Sequence, residues 1–186
     1  GRRKVWDLAE RLYPLADLPE YTDEDAAAER SRRWLQAAGL ARPHGYWSGV
    51  AKDTGEPAKV EGSTVRFRVD PDALAALDDD AGGRVAFLNP YDSLLFDRRR
   101  LEEVFDFTYV LEQFKPKAQR VYGYFAHPIL IGDRFVGMLD AEVDKKQGML
   151  RVNAVHEFLP LADEEHDMIR GELADLAEWL GVELAR

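Results

Sequence analysis

Apolar positions along the chain follow two regimes. The first half mixes one helical period with one strand, and the second half reads as β. Lys4, Val5, Trp6, Asp7 and Leu8 alternate over a short stretch, and Tyr13-Pro14 stops any helix there. Thr22 followed three residues later by Asp25 is an N-cap with a partial capping box. From Asp23 to Ala38 the spacing puts Ala27, Trp34, Leu35 and Ala38 on one helical face, and Gly39 follows as the natural C′ residue. Residues 41–62 are polar and hold Pro43, Gly45, Gly49, Gly55, Pro57 and Gly62, with no helical period. Thr64 to Val69 then alternates cleanly, with Val65, Phe67 and Val69 on one face, and predicts a half-buried strand. Asp70-Pro71 caps a short helix carrying Ala73, Leu74 and Leu77. Asp78-Asp79-Asp80 and Gly82-Gly83 mark a domain boundary.

Beyond that boundary the segments are short. Arg84–Leu88 predicts a strand, and Leu101–Phe105 one helical turn after Arg98-Arg99-Arg100. Phe107–Phe114 and Arg120–Ala126 have strand composition, separated by Pro116. Ile129–Ile131 and Arg134–Val143 flank Gly132-Asp133 and predict a hairpin; Lys145–Gly148 is a second turn leading into Met149–His156. Such a meander predicts a small barrel or strongly curled sheet. Asp163–Leu180 is amphipathic, with Ile169, Leu173, Leu176 and Leu180 on one face and Gly181 after its end.

Length and composition narrow the chemistry. A chain of 186 residues fits one domain or two small ones, and 46% apolar with 32% charged residues is ordinary globular composition. There is no Cys, which removes disulfides, thiolate catalysis, Cys-ligated zinc and iron–sulfur clusters. No apolar run reaches bilayer-spanning length, so the reading is no membrane partner and a cytoplasmic location. The first residue is Gly1 rather than Met, which reads as a fragment or a processed piece.

The net charge is −10, and a strongly acidic chain repels phosphate backbones on average. The charge is uneven. Residues 1–92 carry 13 basic and 17 acidic groups, residues 93–152 carry 10 and 9, and residues 153–186 carry 2 and 9. The middle segment is where a basic face can be assembled.

Common catalytic signatures are absent. His44, His127, His156 and His166 lack metal-ligand spacing, and no HExxH, GxSxG, P-loop or GxGxxG motif is present, so neither a metal nor a cofactor is expected. The cluster around His166 reads as acidic residues favouring the positive end of a helix. Two features are more specific: Arg98, Arg99 and Arg100 followed by Lys115, Lys117 and Arg120, and the aromatic set Tyr122, Tyr124 and Phe125. Cations beside aromatics can hold phosphates and stack bases. The competing reading pairs the Arg run with Asp97, Glu102 and Glu103 and puts the aromatics inside the barrel. Val65–Val69 after Glu61-Gly62-Ser63 also suits a winged-helix wing, where basic side chains touch phosphate.

A resemblance sharpens this picture. The chain reads L-N-P-Y-D-S-L-L-F-D-R-R-R over residues 88–100, R-V-Y-G-Y over 120–124 and P-I-L-I-G-D-R over 128–134, with Asp140, Asp144 and Lys145 beyond. In that order these resemble the S-P-F-D-x-L-L-W-D-R-x-R, R-x-Y-G-Y-Y and P-x-L-x-G-D-R motifs of the winged-helix DNA glycosylases that unhook interstrand crosslinks and excise bulky alkylated bases, the AlkZ and YcaQ-like family. Leu176–Gly181 resembles the family's last helix, and Val5–Arg11 a linker strand before the last winged helix. The resemblance covers about the C-terminal half of a full-length member. It implies tandem winged helices followed by a β-barrel, double-stranded DNA as partner, and metal-free hydrolysis of the N-glycosidic bond. It also implies a Gln-x-Gln or Gln-x-Asp motif that positions water. Gln36, Gln113, Gln119 and Gln147 all lack the second residue, so no catalytic residue is assigned. The family pattern further implies basic residues on one face where this chain has Val110, Gln119, Met138 and Glu142.

The expected architecture is therefore α+β. A partial winged helix over residues 1–80 precedes a small antiparallel β-barrel-like domain over 81–160 and a C-terminal helix over 161–186. The expected DNA contacts are Arg98, Arg99, Arg100, Lys115, Lys117, Arg120, Tyr122 and Tyr124. The alternative is a non-catalytic winged-helix regulator or protein-interaction module, which the missing glutamine motif and acidic charge favour.

Overall fold

The computed structural model describes residues 5–13, 19–43, 50–79 and 82–185. Lys4, Pro14, His44, Gly45, Gly49 and Asp80 of the sequence reading lie outside them. The first element, α1 (Ala9–Leu12), follows Val5–Leu8, which pair with no strand. The expected linker strand is therefore a four-residue helix with an extended lead. Helix α2 (Asp23–Ala38) has the predicted bounds: Thr22 Oγ1 accepts the Asp25 N–H at 3.1 Å, and Gly39 takes the positive φ of +66° that ends it.

Three short strands follow: β1 (Leu40–Ala41), β2 (Glu56–Lys59) and β3 (Arg66–Val69). They form an antiparallel sheet in the order β1-β3-β2. Strand β2 lies in the stretch read as irregular, because its Pro57 and flanking glycine hide a four-residue ladder. Phe67 and Val69 of β3 turn inward, whereas Leu35, Ala41 and Val50 make a small separate core with α2. Gly55 has φ +66°, and a Cβ there would overlap the Leu35 side chain and the Val69 carbonyl, so only glycine fits. Asp70 then caps α3 (Pro71–Ala75), whose Leu74 and the following Leu77 remain exposed.

The second sheet has the order β4-β5-β6-β7-β8, from β4 (Val85–Phe87), β5 (His127–Ile131), β6 (Arg134–Asp144), β7 (Met149–Glu157) and β8 (Glu183–Leu184). All neighbours are antiparallel except β7 and β8, which run parallel. Both predicted turns are present. Register shifts at Ile129/Leu130 and at Asp140/Ala141 insert extra residues that bend and twist the strands. The first shift changes face parity along β6, so Phe135 and Met138 point to one core and Val136 and Leu139 to the other. The sheet curls into half a barrel and stays open between β4 and β8.

The barrel does not close because two predicted strands are not strands. Phe107–Phe114 forms no ladder: burial alternates only over Phe107–Val110, with Phe107 and Tyr109 in a core against one face of the sheet, and Gln113 and Phe114 form a turn. Phe107 stacks on Phe135 at 4.1 Å between ring centroids, and Tyr109 is buried beside it. Arg120–Ala126 also carries no ladder; the Val121 and Tyr122 N–H groups donate to the Glu112 carboxylate at 2.8 Å each. On the opposite face, α5 (Asp163–Leu180) packs Ile169 and Leu173 on Val85, Ile129, Ile131, Val136 and Leu139. Glu165 accepts the Ala162 N–H at 2.9 Å and pairs with Arg134 at 2.5 Å, so the acidic first turn serves the helix start as predicted.

Helix α4 (Arg98–Phe105) is longer than expected, since the Arg triplet forms its first turn. Three cations at a helix N-terminus oppose the dipole. Asp97 offsets them: it is 2% exposed and accepts the Arg100 N–H at 3.1 Å as N-cap. It also takes the Arg42 guanidinium, whose Nε sits 2.9 and 2.8 Å from the two carboxylate oxygens. Arg100 is buried as well, and donates to the Leu40 carbonyl at 2.9 Å and the Leu94 carbonyl at 3.2 Å. Arg42 and Leu40 belong to the small-sheet half, and Asp97 and Arg100 to the large-sheet half. The two sheets are thus joined through a buried polar link. Removing one partner of such a link strands a charge in low dielectric. Asp97→Ala is expected to lower unfolding free energy by about 3 kcal/mol, read by urea titration; a loss near zero would show that the link carries no stability.

Candidate nucleic-acid interface

The eight predicted contact residues fall into an arginine triplet, a groove set of four, and Lys115 by itself. Arg98, Arg99 and Arg100 are occupied within the protein. Arg98 donates to the Tyr109 carbonyl and lies 5.5 Å from the centroid of that ring. Arg99 pairs with Glu103 at 2.7 Å and reaches Glu102 at 3.9 Å, as the competing reading anticipated. Asp97 is reached instead by Arg42, from 55 residues away in sequence. Arg100 points inward to main-chain carbonyls, and burial pulls its guanidinium down from the ordinary arginine range, with Asp97 opposing.

Lys117, Arg120, Tyr122 and Tyr124 come together. They line an open groove of about 520 Å³ with Gly123, Asp140, Glu142, Asn153 and His156. Its wall is the segment from the 3₁₀ turn Lys117–Gln119 to Phe125, and its other side is β6 and β7. Arg120 sits over the Tyr124 ring at 4.8 Å, and its Nε donates to the Lys115 carbonyl at 3.0 Å. Tyr122 meets His156 edge-on at 5.4 Å. Gly123 has φ +135°, and a Cβ there would lie 2.7 Å from the Asp140 carboxyl carbon. The φ of +135° between the two tyrosines is what favours glycine here, since the Asp140 carboxyl is a side-chain end that can shift.

Lys115 stands back from this groove and pairs with Glu112 at 2.8 Å. Glu112 is the residue that composition did not reveal. It is 6% exposed, and its carboxylate takes Lys115 on one oxygen and the Val121 and Tyr122 N–H groups on the other. Burial pushes this carboxyl up, but Lys115 and the two N–H donors outweigh it and hold it below the usual carboxylate range. Its signal was an acidic residue inside an otherwise apolar stretch. His127, near the groove's Asp140, is pulled down by burial, while its Nδ1 contact with the Leu88 carbonyl at 3.2 Å and Asp140 oppose that.

The four positions where basic residues were expected are not one face. Met138 is 3% exposed in the core, so only Val110, Gln119 and Glu142 reach solvent. The groove carries Lys117 and Arg120 against Asp140 and Glu142, so its charge is mixed rather than cationic. Such a site combines phosphate anchors, a ring platform and carboxylates able to accept from exocyclic amino groups.

Asp97 thus fixes the start of α4 at the junction of the two sheets, and Glu112 fixes the Val121–Tyr122 wall of the groove. The family model for DNA glycosylase AlkZ-like proteins matches residues 1–179, and the chain belongs to that family. No solved structure matches the chain.

Glu112 has a consequence for acid stability. Its folded carboxyl titrates below its unfolded value, so its contribution is present above the ordinary carboxylate range and is lost as pH falls through the lowered value. Glu112→Gln is expected to cost about 2 kcal/mol at pH 7 and to flatten that part of the acid profile. Denaturant titrations at neutral and acidic pH check this; equal losses at both would refute it.

Proposed function

We propose that this chain is the C-terminal, DNA-contacting part of a repair glycosylase acting on alkylated or crosslinked bases, with the water-activating residues outside it. Family membership over residues 1–179 supports the repair role. The single observation that carries the binding site is the convergence of Lys117, Arg120, Tyr122 and Tyr124 on one groove over Asp140. In this reading the two cations hold backbone phosphates of double-stranded DNA and the rings receive an exposed base. Tyr124 is 58% exposed, and a base would stack on the part of its ring that Arg120 does not cover.

The first 80 residues act as a partial winged helix. The arrangement that supports this is a helix followed by a three-stranded antiparallel sheet in the order β1-β3-β2, with β2 and β3 as the wing. Residues 81–160 and the helix from 161 onward form the barrel-side unit, and the Asp97 link fixes one against the other. The regulator or protein-docking alternative is favoured by the net charge of −10 and by the missing glutamine motif. No described helix is long and apolar enough to cross a membrane.

Duplex binding measured by gel shift over a salt series tests the reading. Replacing Lys117 and Arg120 together with Ala is expected to weaken binding and to reduce the salt slope by about 2, one unit per phosphate contact. Sequence-selective binding that is unchanged in the double variant would favour a regulator. No binding at low salt would favour a protein partner.

A further inference from the structure

A second groove, of about 750 Å³, shares no lining residue with the first. Its floor is aromatic. Phe105 meets Phe135 edge-on at 5.4 Å between ring centroids, and Phe107 lies 4.1 Å from Phe135 and 5.8 Å from Phe158. Phe107 and Phe135 are buried, whereas Val104, Phe158 and Leu159 leave apolar surface open to solvent along the groove. A contiguous apolar strip with a polar rim is the pattern of a surface that another chain covers.

The rim here is acidic. Glu61 enters from the turn between β2 and β3, Glu102, Glu103 and Asp106 from α4 and its end, and Asp133 from the turn between β5 and β6. Arg134 also lines the groove, but it already holds Glu165, and Arg99 serves Glu102 and Glu103 together. Glu61, Asp106 and Asp133 make no ion pair among the described residues. Asp106 is costly where it stands. It follows the C-terminus of α4, at the negative end of the helix dipole, and takes the left-handed conformation with φ +49°. Glycine or asparagine would fill that cap without the charge. A cation brought from outside relieves the conflict at Asp106 and gives the free carboxylates a partner that the chain does not supply. The same rim repels a phosphate backbone, which sets this face apart from the DNA contact.

We propose that this groove docks a basic segment of a protein partner, with an apolar anchor packed on Phe158 and Leu159 and lysines or arginines set against Glu61, Asp106 and Asp133. The strip and the rim select that chemistry together, since a polyanion lacks the cations and a neutral segment gains only the apolar contact. The inference does not depend on the DNA-binding reading. Tyr122 of the first groove meets Phe158 at 5.9 Å, so Phe158 is left unaltered in the test.

The test uses the full chain and fluorescein-labelled synthetic peptides, with anisotropy followed over a salt series. One peptide repeats Lys-Leu, another has Gln in place of every Lys, and another has Ser in place of every Leu. The Lys-Leu peptide is expected to bind, and the other two roughly fivefold more weakly or not at all. Asp106→Asn with Asp133→Asn is expected to weaken Lys-Leu binding roughly fivefold, and Leu159→Ser by a similar factor. The thermal midpoint of the carboxylate variant is expected to equal or exceed that of the unaltered chain, because the dipole conflict at Asp106 is gone. A control, Asp175→Asn with Glu178→Gln, removes the same charge from α5 on the opposite face of the sheet and is expected to bind the peptide as the unaltered chain does. Equal loss in the control would overturn the inference, since the peptide would then report net charge alone, and so would failure of the unaltered chain to bind the Lys-Leu peptide. Where Leu159→Ser lowers the midpoint, the carboxylate variant decides: weaker binding at an undiminished midpoint supports the docking face, and unchanged binding overturns it. Self-association that Leu159→Ser abolishes, seen by sedimentation without peptide binding, would put a second copy of the chain in the groove and overturn the basic partner.

Discussion

A buried carboxylate organises this molecule. Asp97 closes the N-terminus of α4 and at the same time holds the Arg42 fork from the small-sheet half. Neither task is done by apolar packing, because the cores on the two sides are separate clusters. A charge withdrawn from water must have its partners in place, so the geometry of the junction is fixed more tightly than greasy contact would fix it. With α4 set, Arg98 is directed onto Tyr109, and Phe107 and Tyr109 are held over the sheet. Glu112 repeats the device one step further on and shapes the wall of the groove from Val121 and Tyr122. Two carboxylates, each inside a stretch otherwise apolar or basic, thus convert sequence motifs into a surface.

Local signals were legible in the sequence. Thr22, Gly39 and Gly181 bound the two long helices where caps and glycines placed them, and the Gly132-Asp133 turn marked the hairpin of β5 and β6. These features depend on neighbours a few residues away. Strand composition in Phe107–Phe114 predicted a strand where the structure has none, since composition reports a preference for burial and says nothing of a hydrogen-bonded partner. Arg120–Ala126 failed for a related reason: its N–H groups found a side-chain acceptor in place of a ladder. The groove was partly legible, because the tyrosines and Lys117 and Arg120 were named from chemistry alone. The arginine triplet was not, because charge type is local while partners such as Leu40 and Arg42 lie 60 and 55 residues away.

The distribution of charge has its own logic. Four arginines of this acidic chain, Arg32, Arg33, Arg99 and Arg170, are neutralised at short range along helices, where opposite charges at i+3 or i+4 face each other. Lys59 and Arg66 on a sheet face and Lys117 and Arg120 at the groove wall make no ion pair among the described residues. Net charge therefore describes the average field at long range and not the surface a ligand meets within a Debye length.

The parallel pairing of β7 with β8 bears on how the chain assembles. Strand β8 reaches its place only after α5 has crossed the sheet, so during synthesis the outer edge of β7 stays unpaired until residues 183 and 184 have emerged. Until then its Met149 and Leu150 present unpaired main-chain groups, the kind of edge that recruits other chains. The final turn at Gly181 acts as a latch on the nascent polypeptide: two residues of strand beyond it end the interval in which this half-barrel is exposed to misassociation.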